Sequence, residues 1–415
     1  MTTSGLRARW VAAFASSATL AAFRVAGYPA LWLSGAASGF GRSVTMVAIG
    51  WIALVESDSI LVVGATFAVR LVPALLLGIP LGGLVDRYDR RATLILVNFA
   101  AIVPLLLAAV VAANGSLAVA GLLVLSLALG VVDTLSGTAT QTYAFDLVGA
   151  AGATNAIALG NLGVFLVGSV GSIAGGLVLQ RVGVASPFLL AATAAAVAAV
   201  CLVPGGARAR RERPAPHLVP SFSRSMTLIT RNRRVALIAL VVVMTEILGF
   251  SSITVYPTFA RDVLDSDAAG LGALATARQI GAISGLLFLA RLGLGKSRGG
   301  RLILLATFAF GLGLTAFAAS TSFALSFAVL VVVGAAMASL DTLGQTLLQR
   351  NVDDAERGSA MGIWFFAIGF GPLGLVGLGA AANEIGAPAA LAISGALLAL
   401  FAVGLSRVRA IHELV

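Results

Sequence analysis

Apolar residues run along this chain in long blocks, and polar residues collect in the gaps between them. A helix that crosses a bilayer needs about 20 consecutive, mostly apolar residues. Twelve blocks approach or exceed that length, near 28–54, 59–82, 92–113, 117–139, 155–179, 185–203, 235–259, 269–290, 302–319, 323–346, 359–382 and 388–405. The separators are turn formers or charges: Glu56 and Asp58, Asn114-Gly115, Ser186-Pro187, and the stretch from Asn383 to Pro388. The pattern predicts an all-α membrane protein of twelve transmembrane helices. The stretch from Val11 to Phe23 is apolar but short and follows Arg7 and Arg9, which imitates a signal peptide. We read it as a cytosolic or interfacial lead-in, because twelve spans agree with the placement of charge.

Composition sharpens the class. Of 415 residues, 59% are hydrophobic and 11% charged, against about a quarter charged in a soluble protein. A net charge of +10 could suggest a nucleic-acid partner, but the bases are scattered among apolar runs. Cys201 is the sole cysteine, so an intramolecular disulfide is impossible. Together with His217 and His412 it makes too sparse a set for a metal site. No metal or other cofactor is expected.

The bases have a direction. With the N-terminus cytosolic, 22 of the 27 Lys and Arg fall on the cytosolic side, and only Arg181 and Arg261 fall outside. The acids divide less steeply, eight inside and six outside. Excess Lys and Arg on the cytosolic side is the usual orientation signal. It predicts a multi-pass membrane protein with both termini cytosolic. The expected organisation is a lead-in at 1–27, a six-helix half at 28–203, a linker at 204–234, a second half at 235–405 and a cytosolic tail at 406–415. The linker holds four prolines and eight arginines. It reads as a flexible tether, with contact to lipid headgroups as the alternative.

The halves repeat. An offset of 208 residues, without gaps, places Arg70 on Arg278, Asp133-Thr134-Leu135 on Asp341-Thr342-Leu343, Gln141 on Gln349, Asp146 on Asp354, and Gly64-Ala65 on Gly272-Ala273. Glycine and alanine matches are cheap in this composition, whereas matches of intramembrane Arg and Asp are not. Two such halves are a transporter architecture.

Six ionisable residues fall inside the predicted helices: Arg42, Arg70, Asp133, Glu246, Arg278 and Asp341. Each costs about 2.5–3.5 kcal/mol near a helix centre, so six unpaired would cost roughly 15–20 kcal/mol. They must pair or face a wetted cavity. One reading makes them a solute and proton pathway, since burial and neighbouring charge tune a carboxylate's hold on its proton. The other makes Arg70–Asp133 and Arg278–Asp341 static ties within each half. Glu246 and Arg42 have no repeat counterparts (Ser38 and Phe250 align there), so they are candidates for specific function. Glycine pairs such as Gly171 and Gly175 or Gly281 and Gly285 fit close helix packing.

Between the second and third predicted helices stands Gly82-Gly83-Leu84-Val85-Asp86-Arg87-Tyr88-Asp89-Arg90-Arg91. This resembles the signature loop of the major facilitator superfamily. Asp89 in place of the usual glycine resembles the drug/proton antiporter branch that includes siderophore and macrolide exporters. So do Phe23-Arg24 before Leu31-Trp32, Phe259 to Leu264 before Gly270-Leu271-Gly272, and Asn155-Ala156 before a glycine-rich fifth helix. Val170-Gly171-Ser172 stands where that branch's exporters carry Gly-Pro. The resemblance covers about residues 23–405. It implies the major facilitator fold and alternating access. It also implies a cytosolic gate built from Gly82, Asp86, Arg87, Arg90 and Arg91.

The function this supports is proton-coupled efflux of a small organic compound such as a drug, siderophore or secondary metabolite. The proton and cavity candidates are Glu246, Asp133, Asp341, Arg42, Arg70 and Arg278. The expected partners are the substrate, protons and membrane lipids. One chain contains both halves, so a monomer should suffice. Proton-coupled uptake and a non-transporting receptor or scaffold remain as alternatives. Gly295-Lys296-Ser297 ends like a phosphate loop, but Ala290 stands where its first glycine belongs. Gly369 to Gly374 has dinucleotide-fingerprint spacing inside a predicted span, where packing explains it. No nucleophile–base set supports an enzyme.

Overall fold

The computed structural model describes residues 18–204, 222–292, 298–353 and 356–414, and leaves the side chains of 18–19, 78–87, 150–151, 154 and 222–223 undescribed. Every regular element among the described residues is helical. The first half contains α1 (Tyr28–Ser57), α2 (Ile60–Arg87), α3 (Arg90–Ala113), α4 (Val119–Gly149), α5 (Asn155–Arg181) and α6 (Ser186–Leu202). A short helix, α7 (Phe222–Arg231), leads to α8 (Arg233–Val263), α9 (Ala268–Leu292), α10 (Gly299–Ala318), α11 (Phe323–Arg350), α12 (Arg357–Ile385) and α13 (Ala387–Leu405). Eleven of these are long and apolar enough to span. The twelfth, α6, has 17 residues, or about 26 Å of rise, just inside the range of spanning helices.

The apolar blocks form helices of two faces. On α3, Leu94, Val97, Ala101, Leu105, Ala108 and Ala112 are buried, while Leu96, Phe99, Val103, Leu107 and Val110 are exposed. Both stripes follow helical spacing. An exposed stripe this apolar faces hydrocarbon, not water.

Three stretches depart from the sequence expectation. Helix α4 runs ten residues past its apolar block, to Gly149, whose φ of 71° ends it. Thr142 in this stretch returns its hydroxyl to the Thr138 carbonyl one turn back, and Arg90 pairs with Asp146. Part of the tether is ordered as α7, which lays Leu228 inward and ties Ser225 Oγ to the Ser359 carbonyl at 3.0 Å. Helix α8 is irregular, passing through a 3₁₀ stretch at Phe250–Val255 and a π turn at Phe259–Val263.

The halves meet toward one end of the bundle, here termed the acidic end because its turns carry Glu56, Asp58, Asp265, Asp267 and Glu384. Two repeat-related glycines make the seam. A Cβ on Gly64 of α2 would lie 2.4 Å from the Leu375 carbonyl oxygen of α12. A Cβ on Gly272 of α9 would lie 2.4 Å from the Ser172 carbonyl oxygen of α5. Only glycine permits backbones this close. Polar contacts lock the same end. Asn383 Oδ1 accepts from the Ile60 amide at 2.8 Å, and its Nδ2 donates to Ser59 Oγ at 2.9 Å. Arg261 Nη2 reaches Asp58 Oδ1 at 2.6 Å.

Candidate functional site

The irregular stretch of α8 wraps one wall of a cavity of about 400 Å³ between the halves. Arg42 of α1, Arg70 of α2, Asp133 of α4, Glu246 of α8 and Arg278 of α9 all line it. Five of the six intramembrane charges therefore converge on one space. The walls between them are apolar or aromatic, with Phe67, Phe165, Phe250 and Ile253 among them.

The repeat is broken at the level of side-chain contacts. In the first half, Asp133 is gripped twice. Arg70 Nε donates to Oδ2 at 2.8 Å, and Arg42 Nη2 reaches Oδ1 at 3.2 Å. Arg70 also donates to Thr45 Oγ1 at 3.1 Å and is 7% exposed. In the second half the equivalent pair does not form. Arg278 offers Nη1 to the Met337 thioether at 3.2 Å, and its buried Nε has no partner among the described residues. Asp341 is exposed, with Gln345 Nε2 at 3.4 Å. So the tie between Arg70 and Asp133 exists, while the expected tie between Arg278 and Asp341 does not.

Glu246 is 9% exposed and makes no hydrogen bond or ion pair among the described residues. Its Oε2 lies 3.2 Å from where a Cβ on Gly371 would stand, at the break in α12 between Ile368 and Gly371. The missing Cβ leaves the carboxyl room beside the start of a helical segment, where backbone N–H groups point outward. The glycines with fingerprint spacing thus mark a helix break at the cavity wall.

The gate residues are only partly visible. Gly82, Asp86 and Arg87 lie outside the described side chains. Arg90 pairs with Asp146 of α4, and Arg91 donates to the Leu202 and Val203 carbonyls at 2.8 and 2.6 Å. Asp89 caps α3 by accepting from the Ala92 amide at 2.7 Å. These contacts bind the loop to α4 and α6 of its own half.

Several residues had no signal in the sequence pattern. Gln279 donates to Ser172 Oγ across the seam at 2.7 Å, and Thr276 donates to the Ser169 carbonyl at 2.8 Å. Tyr256 lines the cavity beside Arg278, its hydroxyl 3.2 Å from Ser252 Oγ. Asn383 read only as a turn residue. The 208-residue offset does align Gly64 with Gly272, and that match carries the seam.

Two six-helix halves around a charged central cavity define a secondary transporter of the major facilitator superfamily, not an enzyme. Within it the chain belongs to the transmembrane secretion effector family, matched over residues 17–413. The staphyloferrin A transporter of Staphylococcus aureus is 22% identical over 86% of this chain and 89% of its own length. The nucleoside transporter NupG shares the fold with a TM-score of 0.73 at 14% identity, covering 92% of this chain and 100% of that one. A bacterial homologue of the human lysosomal transporter Spinster, in an inward-facing and unoccupied conformation, gives 0.66 at 14% identity over 93% and 95%.

Proposed function

We propose that the protein exports a small organic compound across a bacterial inner membrane in exchange for protons, with both termini cytosolic. Glu246 carries this reading. It is a buried carboxyl without a partner, set in the wall of the central cavity. A carboxylate left alone in a low-dielectric wall is costly, so proton uptake relieves it. As access alternates, such a group takes a proton from one side and yields it to the other. Asp133 is a poorer carrier, because two guanidinium groups hold it in the charged form. It acts as a fixed strut. Asp341, exposed on α11 with Gln345 as its hydrogen-bond partner, is the second titratable candidate.

The secretion effector family and the siderophore-transporter relative support export over uptake. The excess of bases at the end opposite the seam supports placing that end in the cytosol. The packed acidic end then closes the outside, and the present state faces inward. The loop bearing Gly82, Asp86, Arg87, Arg90 and Arg91 steadies the opposite, outward-facing state. The substrate is taken up in the cavity, and one chain completes the pathway.

The test is transport in inverted membrane vesicles under an imposed pH gradient, with a compound panel spanning siderophores, drugs and secondary metabolites. Gradient-driven accumulation that fails in Glu246→Gln is the expected result. Accumulation with the opposite gradient polarity would make the protein an importer. No gradient-dependent flux across the panel would refute exchange.

A further inference from the structure

The cavity presents two opposite charges that no described residue satisfies with an ion pair. Glu246 has no polar partner among the described residues. Arg278 has five N–H donors by chemistry, yet its recorded contact is one thioether, and its Nε is buried without an acceptor. The two are not an ion pair with each other. The pairs at Asp133 and at Arg90 are formed, and these two groups stand apart from them. The contrast with the first half is informative. There the equivalent arginine, Arg70, is neutralised by Asp133, so that wall is already satisfied. In the second half Asp341 turns to Gln345 and leaves Arg278 open to the cavity.

An unsatisfied guanidinium inside a membrane is costly unless something meets it. Guanidinium groups suit carboxylate and similar planar anions, through paired charge-assisted hydrogen bonds. An unsatisfied carboxylate suits an ammonium. We propose that the transported compound is amphoteric, carrying an acidic group that docks on Arg278 and a basic amine that docks on Glu246. This rests on the exporter reading above only in taking the central cavity as the substrate site.

Amphoteric charge also explains how exchange is enforced. A purely anionic solute would bind more tightly when Glu246 is protonated, because protonation removes a negative charge from the cavity. Solute and proton would then travel together. An ammonium instead competes with the proton for the same carboxylate. Occupancy by substrate and by proton become mutually exclusive, which exchange requires. The aromatic faces of Phe67, Phe165 and Phe250 accommodate an apolar middle between the two charged ends. The volume of about 400 Å³ limits the ligand to a small molecule.

The test uses site-resolved chemical protection on the purified full-length protein, with no gradient present. Dicyclohexylcarbodiimide modifies Glu246 and phenylglyoxal modifies Arg278, each read by peptide mass spectrometry. The probes are ω-amino carboxylates from four to twelve carbons, with alkanoates and alkylamines of matching length. The expected result is a length window in which the amino carboxylate protects both residues. Alkanoates should protect Arg278 alone, and alkylamines Glu246 alone. Arg278→Gln should weaken the best amino carboxylate about tenfold or more, as expected for loss of a charged hydrogen bond. Arg278→Lys, which keeps the charge, serves if the glutamine variant does not fold. Protection by amino carboxylates no better than by single-charge homologues, or no length that covers both residues, overturns the proposal. Failure of gradient-driven flux with dual protection intact would refute proton exchange and leave the amphoteric site standing. The reverse result would refute the amphoteric site alone.

Discussion

Replacing Asp133 by Asn separates the two halves' energetics most sharply. The carboxylate holds Arg70 Nε at 2.8 Å and Arg42 Nη2 at 3.2 Å. Removing one partner of a fully buried ion pair costs about 3–5 kcal/mol, because the other charge is left uncompensated. Two facts reduce that figure here. Asp133 is 26% exposed and Arg42 49% exposed, so solvent in the cavity shields part of the loss. Asparagine also keeps one acceptor for Arg70. Arg70 itself is nearly inaccessible and bears the remainder. The expected destabilisation is about 2 kcal/mol, within the common range for a damaged buried network. The repeat-equivalent change, Asp341→Asn, removes an exposed carboxylate whose recorded contact is one 3.4 Å hydrogen bond. Its expected effect is within about 0.5 kcal/mol. The assay is thermal unfolding of purified protein, followed with a thiol-reactive dye. Cys201 is the only thiol and is partly buried, so labelling reports loss of structure. Equal losses of midpoint temperature from the two substitutions would refute the asymmetry drawn here.

Other expectations follow from the seam and the packing. Asn383→Ala removes a cap that exists only while the acidic end is closed. At about 1 kcal/mol per cap, it should shift the balance of states roughly fivefold. Spin-label distances across that end should lengthen accordingly, and an unchanged distribution would deny it a latch role. Gly334→Ala would place a Cβ 1.9 Å from the Arg278 carbonyl oxygen and force α9 and α11 apart. It should cost about 1–3 kcal/mol, whereas Gly35→Ala meets nothing within 4 Å and should be neutral or slightly stabilising. Thermal unfolding of the pair checks both. Arg261→Ala breaks the bridge to Asp58. It should increase access of an impermeant thiol reagent to a cysteine placed at Ser172, read as labelling rate.

The division into twelve spans was legible because each apolar block ends in a charge or a turn former. The end of α4 was not, because its final ten residues lie beyond the apolar block. Gln141, Thr142 and Asp146 have the composition of a loop, and their helix is held by the Thr142 hydroxyl on the Thr138 carbonyl and by Arg90 on Asp146. The 208-residue repeat placed Arg70 and Arg278 correctly as equivalents. It could not reveal that one is paired and the other open, since pairing depends on rotamer and on what packs alongside, here Met337 and Gln345. Arg42 was legible as an asymmetric charge, but its role as a second clamp on Asp133 needed the α1–α4 crossing. The match of Gly64 with Gly272 carries little weight in sequence. Glycine is so frequent in this chain that a coincidence of two conveys little, although both positions bear the seam.

The central claim is that Glu246 couples substrate flux to protons. Its most direct test compares two modes of transport in proteoliposomes containing the Glu246→Gln variant. Substrate counterflow at equal pH should persist once substrate is raised to offset the lost amine contact, because exchange of substrate for substrate needs no proton and Arg278 still docks the acidic end. Accumulation driven by a pH gradient should fall to the level of protein-free vesicles. Undiminished gradient-driven accumulation in this variant would contradict the account.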